Sequence, residues 1–182
     1  MSANLLTLLP RAEAEGCYHV VIETRKSRRN KFAYDEKTSS ASSRAFLPEG
    51  SSFPCDFSFV PATTGEDGDQ FDVLVLMDAP AFSGCLIEAR LIGALEAEQT
   101  EDEKTDRNDR LLAVAATSRQ HQHLRELTNL PDRRVDEIEH FLKFCNKARG
   151  AKFKVGRAST AEAEMLVAAA EKAFRKKHPT RK

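Results

Sequence analysis

The chain has no surplus of either charge: 28 Lys and Arg residues stand against 28 Asp and Glu in 182. A dedicated nucleic-acid binder shows a basic excess, so that class is disfavoured. No stretch approaches the ~18 consecutive apolar residues of a membrane span. The cysteines are few and scattered, at 17, 55, 85 and 145, with no CxxC pair. That argues against a zinc knuckle and against a dense disulfide framework, and reads as reduced thiols. The apolar N-terminal residues Leu5, Leu6, Leu8 and Leu9 follow no basic segment, which a secretory signal requires. A cytoplasmic location is therefore expected. Internal repeats and a second composition regime are also missing, so residues 1–182 are expected to form one domain. What is present, 41% hydrophobic and 31% charged residues, fits a globular chain with a core of ordinary size.

Periodicity orders the chain. YHVVIET over 18–24 is β-branched and partly alternating, a strand pattern. RKSRRNK over 25–31 reads as a solvated loop or hairpin edge, with an anion-binding edge as the sharper alternative. The Ser-rich stretch from Thr38 to Ser43 reads as a loop. Phe57 and Phe59 are two apart and share one face of a strand. Val73–Met77 is a continuous apolar run, as in a buried strand, and residues 85–97 and 111–116 read as two more. The charged segment Glu98–Arg110 between them reads as a connection. After Pro131 the spacing becomes helical, with Val135, Ile138, Leu142 and Cys145 on one stripe and Phe141 beside it. Gly150 suits the stop and 151–155 is a short strand. Ser159-x-x-Glu162 makes a capping box for a last helix reaching about Lys176. Many strands followed by two helices make an α+β chain with a small barrel or sheet.

The most informative segment is Asp67-Gly68-Asp69-Gln70-Phe71-Asp72, a turn with three carboxylates entering the buried strand. Clustered carboxylates repel unless cations offset them, and oxygen ligands select hard ions such as Mg²⁺, Mn²⁺ or Ca²⁺. An exposed acidic turn without a ligand is the competing reading. An EF-hand is excluded: positions six and twelve from Asp67 are Asp72 and Asp78, where that loop needs Gly and Glu. A glycosidase-like carboxylate pair is weak, because nothing sets two carboxylates at a defined separation.

The combination of VVIE (20–23), Lys31, Arg44, FPCDFSFVP (53–61) and DGDQFDVLV (67–75) resembles the soluble family I inorganic pyrophosphatases, over about residues 18–175. Gln70 stands where that family commonly has Pro or Glu. The resemblance implies a small twisted five-stranded β-barrel, OB-like, with flanking α-helices. It also implies Mg²⁺-dependent hydrolysis of pyrophosphate to orthophosphate, with Mn²⁺ as an alternative ion, in a homo-oligomer. Residue by residue, Glu23, Asp67 and Asp72 match metal-site carboxylates. Lys31 and Arg44 match phosphate-binding side chains, and Asp69 matches the group that orients the attacking water or takes its proton. Before the 111–116 strand, Arg110 takes the place of a family lysine. The two aspartates expected nearby are open: Asp102 or a neighbouring glutamate for the first, and Asn108, Asp109 or Asp106 for the second. Asp102 and Asp109 complete the expected metal set.

Four positions depart from the family pattern. Ala33 stands where the family has a glutamate, Phe57 where it has a tyrosine, and Phe144-Cys145 where it has a phosphate-binding Tyr-Lys pair. Phe has no hydroxyl and Cys no positive charge. Three expectations follow: a pyrophosphatase of lowered activity; a non-catalytic descendant that binds metal and a phosphorylated ligand; or a hydrolase of a related phosphoanhydride whose altered pocket admits a larger group. His121 and His123, two apart, lack a third ligand and read as surface residues, and the C-terminal KAFRKKHPTRK reads as a solvated basic tail.

Overall fold

The computed structural model describes residues 5–35, 37–101, 104–147 and 152–178. Nine strands and two α-helices are found there: β1 (Cys17–Thr24), β2 (Asn30–Asp35), β3 (Ser40–Phe46), β4 (Asp56–Val60), β5 (Phe71–Leu76), β6 (Leu86–Glu101), β7 (Lys104–Arg107), β8 (Arg110–Ala115), α1 (Asp132–Lys147), β9 (Lys152–Ala158) and α2 (Thr160–Lys177). Strands β1, β4, β5, β8 and β6 pair in that order, and β6 returns to β1. The result is the closed five-stranded barrel that the family resemblance implied. Closure removes exposed sheet edges. The pairings are antiparallel except β5 with β8.

Strand β6, 16 residues long, is the common rail. Its first part pairs with β1, its middle with β8, and its far end with β7 and β9. The ladder slips between Leu91 and Gly93. Gly93 sits at φ 148°, where an added Cβ would come 2.7 Å from the Ala158 carbonyl oxygen and 2.9 Å from Leu127 Cβ. Only glycine fits this bend without displacing neighbouring backbone.

The continuous apolar runs of β5 and β8 have a packing cause. Leu74, Leu76, Leu112 and Val114 join a cluster containing Val135, Ile138 and Leu142 of α1. Their alternating neighbours Val73, Val75, Leu111 and Ala113 join a second cluster with Ala163 and Val167 of α2. Strands buried on both faces lose the apolar–polar alternation of half-exposed ones. The fourth inward position of α1 is Asn146 rather than the expected Cys145. Asn146 is buried and donates from Nδ2 to the Leu142 carbonyl at 2.9 Å, while Cys145 is half-buried. The capping box opens α2 as expected, with Ser159 Oγ accepting from the Glu162 N–H and Glu162 accepting from the Ser159 N–H. The four cysteines are free thiols. Among the described residues no helix is long and apolar enough to cross a membrane.

Two expected loops are corrected, while the basic run is loop over 25–29 and then hairpin edge as expected. Residues 38–43 belong largely to β3, which forms a two-stranded sheet with β2, and the basic run ends inside β2. SASSRAF lacks the branched and aromatic residues that mark strands; the hairpin is ordered by β1 instead. Thr24 Oγ1 accepts from the Phe32 N–H at 2.8 Å and donates to the Phe32 carbonyl at 3.1 Å. The 98–110 connection is likewise largely strand, because β6 runs on to Glu101 and returns as β7.

Candidate active site

The acidic loop is shaped by its own backbone. Gly65 N–H donates to the Asp69 carbonyl at 2.8 Å, and Gly68 N–H to the Gly65 carbonyl at 3.1 Å. Gly68 turns at φ 90°, in the left-handed region that glycine adopts freely. The Asp69 N–H donates to Asp67 Oδ1 at 3.1 Å. Buried Thr63 anchors the exit, donating to the Val60 carbonyl at 2.5 Å and accepting from the Phe71 N–H at 2.9 Å. Lys177 of α2 donates to the Gly68 carbonyl at 3.3 Å. The loop thus hangs from the rigid β4–β5 pair with Asp72 at the first turn of the strand.

One cavity of about 380 Å³ gathers most of the expected residues. Glu23 comes from the end of β1, Lys31 from β2, Arg44 from β3, Asp67 and Asp69 from the loop, Asp72 from β5 and Arg110 from β8. Ala33 and Phe57, two of the four departures, line it as well. So does Asn108, one of the places open for the second aspartate, and so do Tyr34 and Phe59, which the sequence does not mark as site residues. Tyr34 falls between the basic run and the Ser-rich stretch, in residues without a sequence signal of their own; its ring leans on Phe59 with centroids 6.3 Å apart.

The charges are differently constrained. Asp72 faces Arg110 across 3.1 Å, and these side chains are only 21% and 12% exposed. Burial raises the Asp72 carboxyl, Arg110 and Lys31 pull it down, and Asp67 and Asp69 push it up. Arg110 is steadied by the carbonyls of Asn108 and Asp109, each at 3.1 Å, and by the Asn108 side-chain oxygen. Glu23 accepts the Tyr34 N–H at 2.7 Å. Its carboxyl is pushed up to about 7, first by burial and then by Asp72 and Asp69, against the lowering pull of Tyr34 and Lys31. Arg44 is half-exposed and lies 3.6 Å from Asp35. Asp67 and Asp69 are exposed.

Asp109 does not line this cavity; it borders the neighbouring one together with Asp67 and Asp72. Its Oδ1 accepts the Ala97 N–H at 2.9 Å, and its Oδ2 accepts Arg107 Nη2 at 2.8 Å and Nε at 3.2 Å. Both oxygens are therefore committed to holding β6 and the β7–β8 turn. Asp102 lies outside the described residues. A second cavity of about 350 Å³ lies on the α2 side of the loop, bordered by Asp67, Asp72, Asp109, Arg110, Leu166 and Ala170, without Glu23 or Lys31.

The donor set fits a hard divalent ion. Four carboxylates line one cavity; Asp69 and Asp72 push the Glu23 carboxyl up, and Asp67 and Asp69 push up that of Asp72, a repulsion that a cation would relieve. Among the described residues no three His, Cys, Asp or Glu side chains converge into a cage. Mg²⁺ does not need one: it keeps several waters and is held by one or two carboxylates together with substrate phosphates.

Phe57 closes one wall. Lys31 Nζ lies 5.2 Å and Arg110 Cζ 5.9 Å from its ring centroid. Cations over an aromatic face are attracted by its quadrupole, so the ring steadies the two side chains without offering a hydroxyl.

Comparison with known proteins agrees with this geometry. A family profile described as inorganic pyrophosphatase matches residues 20–175. The inorganic pyrophosphatase of Streptomyces coelicolor is 37% identical over 126 residues, covering 69% of this chain and 75% of that one. That of Synechocystis is 32% identical over 138 residues, covering 76% and 79%. The crystal structure of inorganic pyrophosphatase from Thermus thermophilus superposes with a TM-score of 0.84 at 29% identity, covering 95% of this chain and 99% of that one.

Proposed function

The chain belongs to the inorganic pyrophosphatase family, and from that premise we propose that it hydrolyses inorganic pyrophosphate to two orthophosphates at the Glu23–Asp72 cavity. The observation that carries the reading is the convergence of four carboxylates and three cationic side chains from separate elements on one cavity. Pyrophosphate is strongly anionic, and its hydrolysis needs charge neutralisation and an activated water. Divalent ions held at the carboxylates, Mg²⁺ first and Mn²⁺ as an alternative, would supply both: positive charge against the phosphates and a bound water of lowered pKa.

Glu23, Asp67 and Asp72 would hold the ions. Lys31, Arg44 and Arg110 bind phosphate oxygens by charge-assisted hydrogen bonds. Asp69, exposed beside the more constrained carboxylates, takes the proton of the attacking water. The water oxygen bonds to one phosphorus, the bridging P–O bond breaks, and each product leaves as orthophosphate. Asp109 serves the same site indirectly by holding the turn that presents Arg110. The protein acts in the cytoplasm as a homo-oligomer; the apolar N-terminal segment, with Leu9 75% exposed, supports a contact between copies.

Phosphate release from pyrophosphate, measured with Mg²⁺ and with Mn²⁺ after chelation, tests the reading. Release is expected with either ion and none with the chelated protein. Absence of release under both ions would refute it.

A further inference from the structure

A third cavity, of about 200 Å³, adjoins the phosphate cavity through a shared wall of Lys31, Ala45, Phe57 and Arg110. Its remaining surface is largely hydrocarbon, with Leu47, Pro48, Phe53, Phe141 and Phe144 prominent. Phe53 packs edge-on to Phe57 with centroids 5.9 Å apart, and meets Phe141 at 5.1 Å. The rings therefore form a braced surface. Two further aromatics stand at this cavity unburied, Phe46 at 70% exposure and Phe144 at 42%. Cys145, also on the lining, carries no charge. Among the described residues the cations of this cavity are Lys31 and Arg110, both on the wall it shares with the phosphate cavity. An orthophosphate leaving group gains nothing from such a surface, whereas an apolar substituent does.

We propose that this aromatic cavity receives the organic group of a diphosphate monoester, so that the site also hydrolyses a small aryl or alkyl diphosphate. The inference rests on the pyrophosphatase reading of the adjoining cavity. The terminal phosphate lies towards Asp69, the inner phosphate spans Lys31 and Arg110, and the substituent R enters between Phe57 and Phe144. Water attacks the terminal phosphorus and the bridging P–O bond breaks. The reaction is ROP₂O₆³⁻ + H₂O → ROPO₃²⁻ + H₂PO₄⁻, in which atoms and charge balance and no further reactant is needed. The size is selective: ligand pockets for larger organic molecules run to roughly 300–1,000 Å³, so the volume here suits one ring or a short branched chain rather than a nucleoside.

Phosphate release by the full chain with Mg²⁺, measured on pyrophosphate, methyl diphosphate, phenyl diphosphate and adenosine diphosphate, tests this. Phenyl diphosphate is expected to exceed methyl diphosphate in kcat/KM by ~10-fold or more, the discrimination a few buried carbons provide. Adenosine diphosphate is expected to be the poorest of the three esters. The phenyl-to-pyrophosphate ratio should fall in Phe144→Ala and fall again in Cys145→Lys, which places a cation where the ring would sit. Thermal melting confirms that both variants fold; both positions are partly exposed. Equal rates on methyl and phenyl diphosphate, with pyrophosphate hydrolysed, would overturn the inference alone. So would a ratio unmoved by Phe144→Ala, as when a second copy of the chain covers that face. Failure on pyrophosphate with turnover of phenyl diphosphate would overturn the parent reading and keep this one; failure on all four would overturn both.

Discussion

The cavity of Glu23, Asp69 and Asp72 and the cavity of Phe53, Phe141 and Phe144 share Lys31, Phe57 and Arg110, yet they are built by opposite means. The first holds charges whose mutual effects dominate: Asp72 is balanced by Arg110, and Glu23 keeps its proton to about 7. The second is a set of rings braced on α1. In the first, affinity follows from ions that relieve repulsion. In the second, affinity follows from apolar area removed from water. Phe57 is the hinge of the comparison. As a ring it steadies Lys31 and Arg110 on one side and packs with Phe53 on the other. Without a hydroxyl, it directs no hydrogen bond at the reacting water. The charged half keeps its central aspartates but carries the departure Ala33; Phe144 and Cys145 fall on the other half, and Phe57 stands on the wall between them.

The comparison can be broken most severely at its aromatic base. Phe53 is buried, and Phe53→Ala is expected to lower stability by about 3–5 kcal/mol. Chemical denaturation should show this as a lower midpoint with little change in slope. A midpoint close to that of the parent protein would mean that the ring wall is not a packed unit.

A smaller effect is expected on the charged side. Arg110→Ala leaves the largely buried Asp72 without its partner. A loss of about 1–3 kcal/mol in stability follows from an unsatisfied charged group, together with a raised KM for pyrophosphate. Saturating Mg²⁺ should recover much of the stability, because the ion replaces the missing positive charge. A variant with unchanged KM would remove Arg110 from the phosphate site.

The gentlest test is pH. In the metal-free protein the Glu23 carboxyl is raised from its ordinary 4.5 to about 7. A group whose folded pKa is raised contributes stability that is complete below 4.5 and lost as pH rises through about 7. The stability advantage of the parent over Glu23→Gln should therefore shrink across that window. Metal affinity should rise over the same window as the carboxylate is freed. A constant difference between the two proteins would place Glu23 in a more solvated setting than the cavity shows.

The two halves were not equally legible in the sequence. The acidic loop could be read because its signal is local: three aspartates, a glycine turn and a continuous apolar strand lie within 11 residues. Helix α2 was equally plain, since its capping box is a four-residue pattern. Strands β2 and β3 were not, because their order comes from Thr24 and Glu23 on another strand. Asp109 shows the limit of adjacency. It precedes Arg110 directly, yet successive side chains along an extended chain point to opposite faces, and its oxygens are spent on Ala97 and Arg107. The substitutions at 57, 144 and 145 were visible as lost polar groups. That Phe57, Phe144 and Cys145 line one cavity together was not visible, because α1 and β4 meet only in the folded chain.

The most direct test of the central claim, that the carboxylate cavity performs the hydrolysis, is phosphate release from pyrophosphate by the parent protein and by Asp69→Asn at matched Mg²⁺. The account predicts that Asp69→Asn, melting near the parent temperature, loses ~10²–10⁴-fold in kcat, the range of a positioned general base. Equal turnover by the two proteins would contradict it.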